Sequence, residues 1–275
     1  MIGNKVFEDY KNSHTGQRVF LIGNGPSLSS KDLDLIEGEI SFAMNRIPLL
    51  YDSTSWRPTY YLFSSTNVRP DKPWSNKWQL SVRAAMSDKN TTSFISSDFR
   101  QNIDPFGEFP HVKWFMTMSE RKPNLQGEVD ISCFSTDVVE RIDKTGTTMN
   151  LALQLALYMN FSEIIFLGCD LGWSKDTGTE NDPNHFDKDY VAEILRPEKT
   201  NNQMRNIHSL ALKCFQESGK EVNFYNCTRD TVLDVYPLIN FDDYITSGKI
   251  VYRNEELEEA KKYWNKKPQY ANLVY

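Results

Sequence analysis

Two polar stretches carry the residue types from which a ligand site could be built. The first is Gly23-Asn-Gly-Pro-Ser27, which breaks the apolar run Val19 to Ile22. Gly23 and Gly25 lack a Cβ, so backbone there can approach a ligand closely. Asn24 offers both a donor and an acceptor. Pro26 fixes φ and has no N–H, and Ser27 or Ser30 is placed to cap a following helix. The turn is not G-x-G-x-x-G, because position 28 is Leu, and no Gly-Lys-Ser/Thr follows to make a Walker loop. Such a turn can equally be no more than a turn after a strand. The second stretch runs from Asp170 to Tyr190 and holds His185, in Asn184-His-Phe186. Imidazole titrates near neutral pH and can serve as a general base. Asp170 can bond a ribose hydroxyl, hold Mg²⁺ on a diphosphate, or cap the first turn of the loop it opens. His14 and His111 read as bystanders, His208 as a helix-face residue, and the remaining carboxylates of 176–189, Asp182 among them, as a solvated loop.

Periodicity supplies the elements that must position these groups. Val19–Ile22, Ile40–Asn45, Tyr60–Phe63, Thr91–Ile95, Val112–Met116, Glu163–Asp170 and Glu221–Cys227 read as strands. Lys31–Ile36, Lys77–Met86, Met149–Met159 and Asn201–Ser218 read as helices, with Thr145-Gly-Thr-Thr148 a capping turn and Gly219 a C-cap. A further helix is expected near 254–264 and a loose tail at 265–275. The alternation implies an α/β fold: a Rossmann-like, doubly wound, mainly parallel sheet in a single domain spanning 1–275. Ligands of such sheets bind beyond the carboxyl ends of the strands. Gly23–Ser27, Asn45, Gly146–Thr148, Gly168 and Asp170 all fall at such ends. Residues 171–200 are polar and aperiodic, and read as an active-site lid.

Composition narrows the classes. The 275 residues are 39% hydrophobic and 25% charged, as in ordinary globular proteins. A net charge of −6 argues against a nucleic-acid partner, which needs a basic face. Cys133, Cys169, Cys214 and Cys227 show neither C-x-x-C spacing nor a Cys/His cluster, so no metal site is expected from them. No apolar run is long enough to span a bilayer, and the first residues lack the apolar core of a secretory signal. A cytoplasmic location is expected, and peripheral attachment at the inner membrane is compatible with it. Aromatic residues reach 13%, and several tryptophans, Trp56 and Trp78 among them, sit between polar residues, as expected at a cleft or an oligomer interface.

Gly23-Asn-Gly-Pro-Ser-Leu28, Asn45, Thr145-Gly-Thr-Thr148 and Phe161-Ser-Glu-Ile-Ile-Phe-Leu-Gly-Cys-Asp170 together resemble two related bacterial groups. One is the sialyltransferases of glycosyltransferase family 42. The other is the broader MptE-like family, named for an archaeal 6-hydroxymethylpterin diphosphokinase and including proteins of glycan and flagellin glycosylation loci. The resemblance runs from Arg18 to Leu238 and is weakest over 67–130. It implies that Asn24 and Asn45 contact a CMP-activated donor, with Gly146, Thr147 and Thr148 also at the donor. It further implies inversion at the anomeric carbon, a His base, two Tyr hydroxyls on the leaving phosphate, and no metal cofactor. The Tyr expected after the strand-end Asp is replaced around Leu171-Gly-Trp173, which leaves Tyr190 as the loop's tyrosine. His185 is the candidate base, although the family's base aligns nearer Asn201. Arg141, Lys144 or Arg196 is placed to meet the phosphate.

Three readings follow. The first is a sialyltransferase-like enzyme moving sialic acid or a related sugar from CMP to a glycan acceptor, with a homo-oligomer compatible. The second is an ATP-dependent diphosphokinase-like phosphotransferase, with Mg²⁺ held among the carboxylates of 170–189. The third is a nucleotide- or glycan-binding relative without catalysis.

Overall fold

The computed structural model describes residues 4–64, 75–102, 109, 111–118, 129–172, 182–188, 190 and 197–247. The expected C-terminal helix and tail, Arg196, Trp173 and much of the expected lid lie outside these residues. Within them, seven strands form one sheet in the order β5-β4-β3-β2-β1-β6-β7, and every neighbouring pair is parallel. The strands are β1 (Arg18–Ile22), β2 (Ser41–Met44), β3 (Tyr60–Phe63), β4 (Thr92–Ser96), β5 (Val112–Phe115), β6 (Glu163–Leu167) and β7 (Asn223–Asn226). The helices are α1 (Ser30–Asp34), α2 (Ser75–Ser87), α3 (Thr148–Met159), α4 (Pro197–Glu217) and α5 (Phe241–Ser247). This is the Rossmann-like α/β architecture. The strand order reverses between β1 and β6, which puts the switch point at the end of β1.

The strands are continuous apolar runs because both sheet faces are covered. Val19 and Leu21 face α3 and α4, packing with Leu151, Leu155, Ala211 and Phe215. Phe20 and Ile22 face the other side, with Leu33 of α1, Val82 and Met86 of α2 and Tyr244 of α5. Val19, Phe20, Leu21 and Ile22 of β1 are fully buried, each contributing about 2 kcal/mol of hydrophobic stabilisation, whereas Arg18 is exposed. Trp56 and Trp78 belong to this second core, only 1% and 9% exposed, rather than to an open cleft. Polar neighbours in sequence misdirect here, because Trp78 lies on the sheet-facing side of α2 and Trp56 folds inward from the loop before β3.

Three local features depart from the expected pattern. The cap of α1 is Ser29, not Ser27 or Ser30: its hydroxyl accepts from Asp32 N–H at 3.3 Å, and Asp32 accepts from Ser29 N–H at 3.0 Å. This is the S-x-x-D capping box. Helix α5 has only seven residues, too few for a periodic signal. Helix α3 is buried all round, yet it carries two polar side chains with no solvent exposure. Gln154 accepts from the N–H groups of Ser135 and Asp143, both at 3.0 Å, and donates to Asp143 O at 2.7 Å. Asn150 donates to the carbonyls of Cys133, Asp143 and Thr145. These two amides fix the irregular segment that leads into α3.

The glycine turn is clamped onto the end of β6. Pairing of β1 with β6 runs one residue beyond the strands through Gly23 N–H to Leu167 O, at 2.8 Å, and Gly25 N–H reaches Gly168 O at 2.9 Å. A Cβ on Gly23 would lie 2.2 Å from Gly168 O, and one on Gly25 would lie 1.9 Å from Asp170 Oδ2. The missing Cβ atoms therefore admit the neighbouring strand end, not a ligand. Gly23→Ala is expected to cost about 3 kcal/mol through backbone overlap. Gly38→Ala, strained at φ +84 but in open space, should cost about 1 kcal/mol. Urea denaturation midpoints measure both, and equal losses would refute the clamp.

Candidate functional site

A polar cluster gathers at the carboxyl edge of β1 and β2, where the segment 182–190 packs over the strand ends. Asn24 is 9% exposed and donates from Nδ2 to Met44 O at 3.2 Å, which lays its amide over the end of β2. Its Oδ1 is buried and finds no hydrogen-bond donor among the described residues. A buried acceptor left unpaired costs about 1–3 kcal/mol, so a donor arriving there would be welcome. The Asn24 carbonyl accepts from Phe186 N–H at 3.1 Å and so ties the 182–190 segment to the glycine turn.

Asn45 ends β2 in the left-handed region, at φ +54, a conformation that Asn tolerates better than most residues. Its Oδ1 accepts from Thr148 Oγ1 at 3.3 Å. That bond brings the N-terminus of α3 to the end of β2. Thr147 caps α3, accepting from Met149 N–H at 3.2 Å, and the positive end of the helix faces this edge. Gly146, at φ +82, is a packing glycine: a Cβ would lie 3.1 Å from Ile207 of α4. Thr145 Oγ1 is a second buried polar atom with no hydrogen-bond partner among the described residues.

His185 and Asp182 form a pair. Asp182 Oδ2 lies 2.8 Å from His185 Nδ1, and both side chains are 7% exposed. The spacing follows from the Asp182-Pro-Asn-His185 turn, in which Asp182 Oδ1 also accepts from Asn184 N–H at 2.9 Å. With Nδ1–H donating to the carboxylate, Nε2 carries the lone pair of the neutral ring. Burial lowers the imidazole pKa below its usual value, and the positive charge of Arg46 lowers it further against the opposing pull of Asp182. Asp182 stays below the usual carboxylate range although burial pushes it up, because its bonds and attraction to His185 and the Asn184 N–H outweigh burial. Asp182 is thus not part of a solvated loop.

The His185 ring lies flat on Tyr190, with centroids 3.7 Å apart and planes 3° apart. Tyr190 is 1% exposed, and burial raises its phenol pKa. Its hydroxyl accepts from Arg46 N–H at 3.4 Å.

The remaining candidate residues take other roles. Among the described residues Asp170 bonds back to the glycine turn. It accepts from Ser27 N–H at 3.1 Å and Ser27 Oγ at 2.9 Å, and thereby binds the glycine turn to β6. Burial raises its pKa to about 7 against the opposing Ser27 bonds. Gly168, at φ +67, makes room for Leu28 and the Gly23 carbonyl. Pro26 is exposed. The Arg141 guanidinium donates to the carbonyls of Ser132 and Phe134, so it braces the segment before α3. His208 is 3% exposed and bonds the Tyr236 hydroxyl at 3.1 Å, and burial lowers its pKa to about 3. Among the described residues no three His, Cys, Asp or Glu side chains gather as a metal site, and no helix is long and apolar enough to cross a membrane. Sequence reasoning missed Arg46 and misplaced Asp182. Its available signal was the Asp-Pro-Asn turn three residues before His185.

No protein-family model and no curated protein matches this chain. Among solved structures it is similar to a MAf glycosyltransferase from Magnetospirillum magneticum AMB-1, with 11% identity and a TM-score of 0.47. That match covers 96% of this chain and 42% of the other, so the chain spans less than half of that enzyme. It is also similar to the sialyltransferase CstII from Campylobacter jejuni, solved with the substrate analogue cytidine-5'-monophosphate. Identity is 14%, the TM-score 0.42, and coverage 87% of this chain and 91% of that one. These are distant likenesses of fold.

Because Asp170 keeps its proton to about pH 7 in the folded chain and to about pH 4 when unfolded, the folded state binds more protons between those values. Stability from this group is full below about pH 4 and is lost as pH rises through 7. Asp170→Asn, which mimics the protonated acid, should remove that decline, at most about 4 kcal/mol across the window. Unfolding free energies of both proteins from pH 4 to 8 give the test; parallel curves would contradict it.

Proposed function

We propose that this chain is a glycosyltransferase of sialyltransferase type, taking a sugar from a CMP-activated donor to a glycan hydroxyl. The observation that carries this reading is the Asp182–His185 pair, held at the carboxyl edge of the sheet beside Asn24 and Asn45. A base oriented by a carboxylate is the arrangement that activating a hydroxyl nucleophile requires. Asn24, with an acceptor awaiting a donor, and Asn45 would hold the nucleotide. The N-terminus of α3, joined to Asn45 through Thr148, would supply N–H groups and dipole to the phosphate.

In the proposed reaction His185 Nε2 takes the proton of the acceptor hydroxyl. The acceptor oxygen forms its bond to the anomeric carbon from the face opposite the nucleotide. The bond from that carbon to the phosphate oxygen breaks, its electron pair leaves with CMP, and the anomeric configuration inverts. No step calls for a metal ion. His185 is 8% exposed, so an acceptor reaches it only as the turn 182–188 gives way.

Calorimetry with CMP, CDP and ATP, each with and without Mg²⁺, tests the reading. CMP should bind without metal, and Asn24→Ala should weaken it about tenfold, or 1.4 kcal/mol, in a folded protein. His185→Ala should retain CMP binding and abolish transfer. Binding of ATP only with Mg²⁺ would favour the diphosphokinase reading, and indifference to every nucleotide would sink both.

A further inference from the structure

Arg46 follows Asn45 at the end of β2 and is 2% exposed. A guanidinium is taken out of water only where its N–H groups and charge are engaged. Here Nε donates to Ser81 Oγ of α2 at 3.4 Å, and a terminal N–H donates to the Tyr190 carbonyl. The guanidinium carbon stands 5.5 Å from the centroid of the Tyr190 ring and 5.9 Å from that of Trp78. Trp78 meets the Tyr190 ring edge-on, at 5.7 Å and 83°. Tyr190 is therefore held at its carbonyl, its hydroxyl and its ring. The His185 imidazole stacks on that same ring.

We propose that Arg46 is a positioning residue for His185: it locks Tyr190, and the locked ring sets the plane in which the imidazole meets Asp182. A buried cation on the central sheet thus orients a base carried by a distant segment. The base role rests on the transferase reading above, whereas the positioning stands on the contacts alone. Among the described residues the ionisable groups that face His185 are Asp182 and Tyr190 from its own segment and Arg46 from the end of β2. Arg46 is the cation among them, and it also holds the ring, so its loss should free the imidazole to accept a proton more readily.

The full chain, free of ligand, supplies the test by NMR titration of the His185 ring. Arg46→Gln should raise the titration midpoint by about half a pH unit or more. It should also speed hydrogen exchange at the Phe186 N–H, which bonds Asn24 O. Arg46→Lys, which keeps the charge, should restore most of the midpoint. A folded Arg46→Gln protein with both readouts unchanged overturns the proposal. Should Arg46→Gln fail to fold, Tyr190→Leu removes the ring alone; a midpoint that rises supports the proposal, and one that stays overturns it. In an active enzyme the acid limb of kcat should move with the midpoint. A shifted midpoint in a chain without transfer activity would remove the transferase reading and leave the positioning intact.

Discussion

The structure depends on the union of β1 with β6. They lie side by side in the sheet although 145 residues apart in sequence, and their register pairs Arg18 with Glu163 through Ile22 with Leu167. The pairing does not stop with the strands. It continues through Gly23, Gly25, Gly168 and the Asp170–Ser27 bonds, so that the two strand ends form one closed piece of backbone. At this point the absent Cβ atoms of Gly23 and Gly25 make room for the end of β6. Asn24 projects from the same turn toward the end of β2, and Asn45 meets Thr148 of α3 beside it.

The fold was largely readable because its strands are buried on both faces. Runs such as Val19–Ile22 and Tyr60–Phe63 leave few alternatives to a covered parallel sheet, and Gly219 and Thr147 mark helix ends by their own chemistry. Two of the gaps share a cause, a partner far away in sequence. Asp170 reads as a ligand-edge carboxylate until Ser27 is found beside it. Arg46 carries no local signal, because Trp78, Ser81 and Tyr190, which engage it, come from later in the chain. Asp182 sits among carboxylates that look solvated, and the local turn that delivers it to His185 is visible only once the segment packs down. Ser29 is a different case, since its capping box lay within four residues and was overlooked in favour of neighbouring serines.

The electrostatics of the edge are those of a dry site. Asp182, His185, Tyr190 and Arg46 are nearly withdrawn from water, so their mutual effects are stronger than at a surface. One carboxylate and one guanidinium act on the imidazole in opposite senses, and burial decides the balance toward the neutral ring. A neutral imidazole is the form that accepts a proton.

The two amides inside α3 bear on how this protein can change over generations. Gln154 bonds only main-chain N–H and carbonyl groups, and the bonds made by Asn150 go to carbonyls as well. Main-chain groups are the same whatever side chains they carry. The path of the segment from Cys133 to Thr145 is therefore held at these points whatever side chains stand there, although Phe134, Val138 and Ile142 are tied to the core and Arg141 braces the chain. Exposed positions such as Thr136 and Glu140 can then change without moving the backbone that leads into α3.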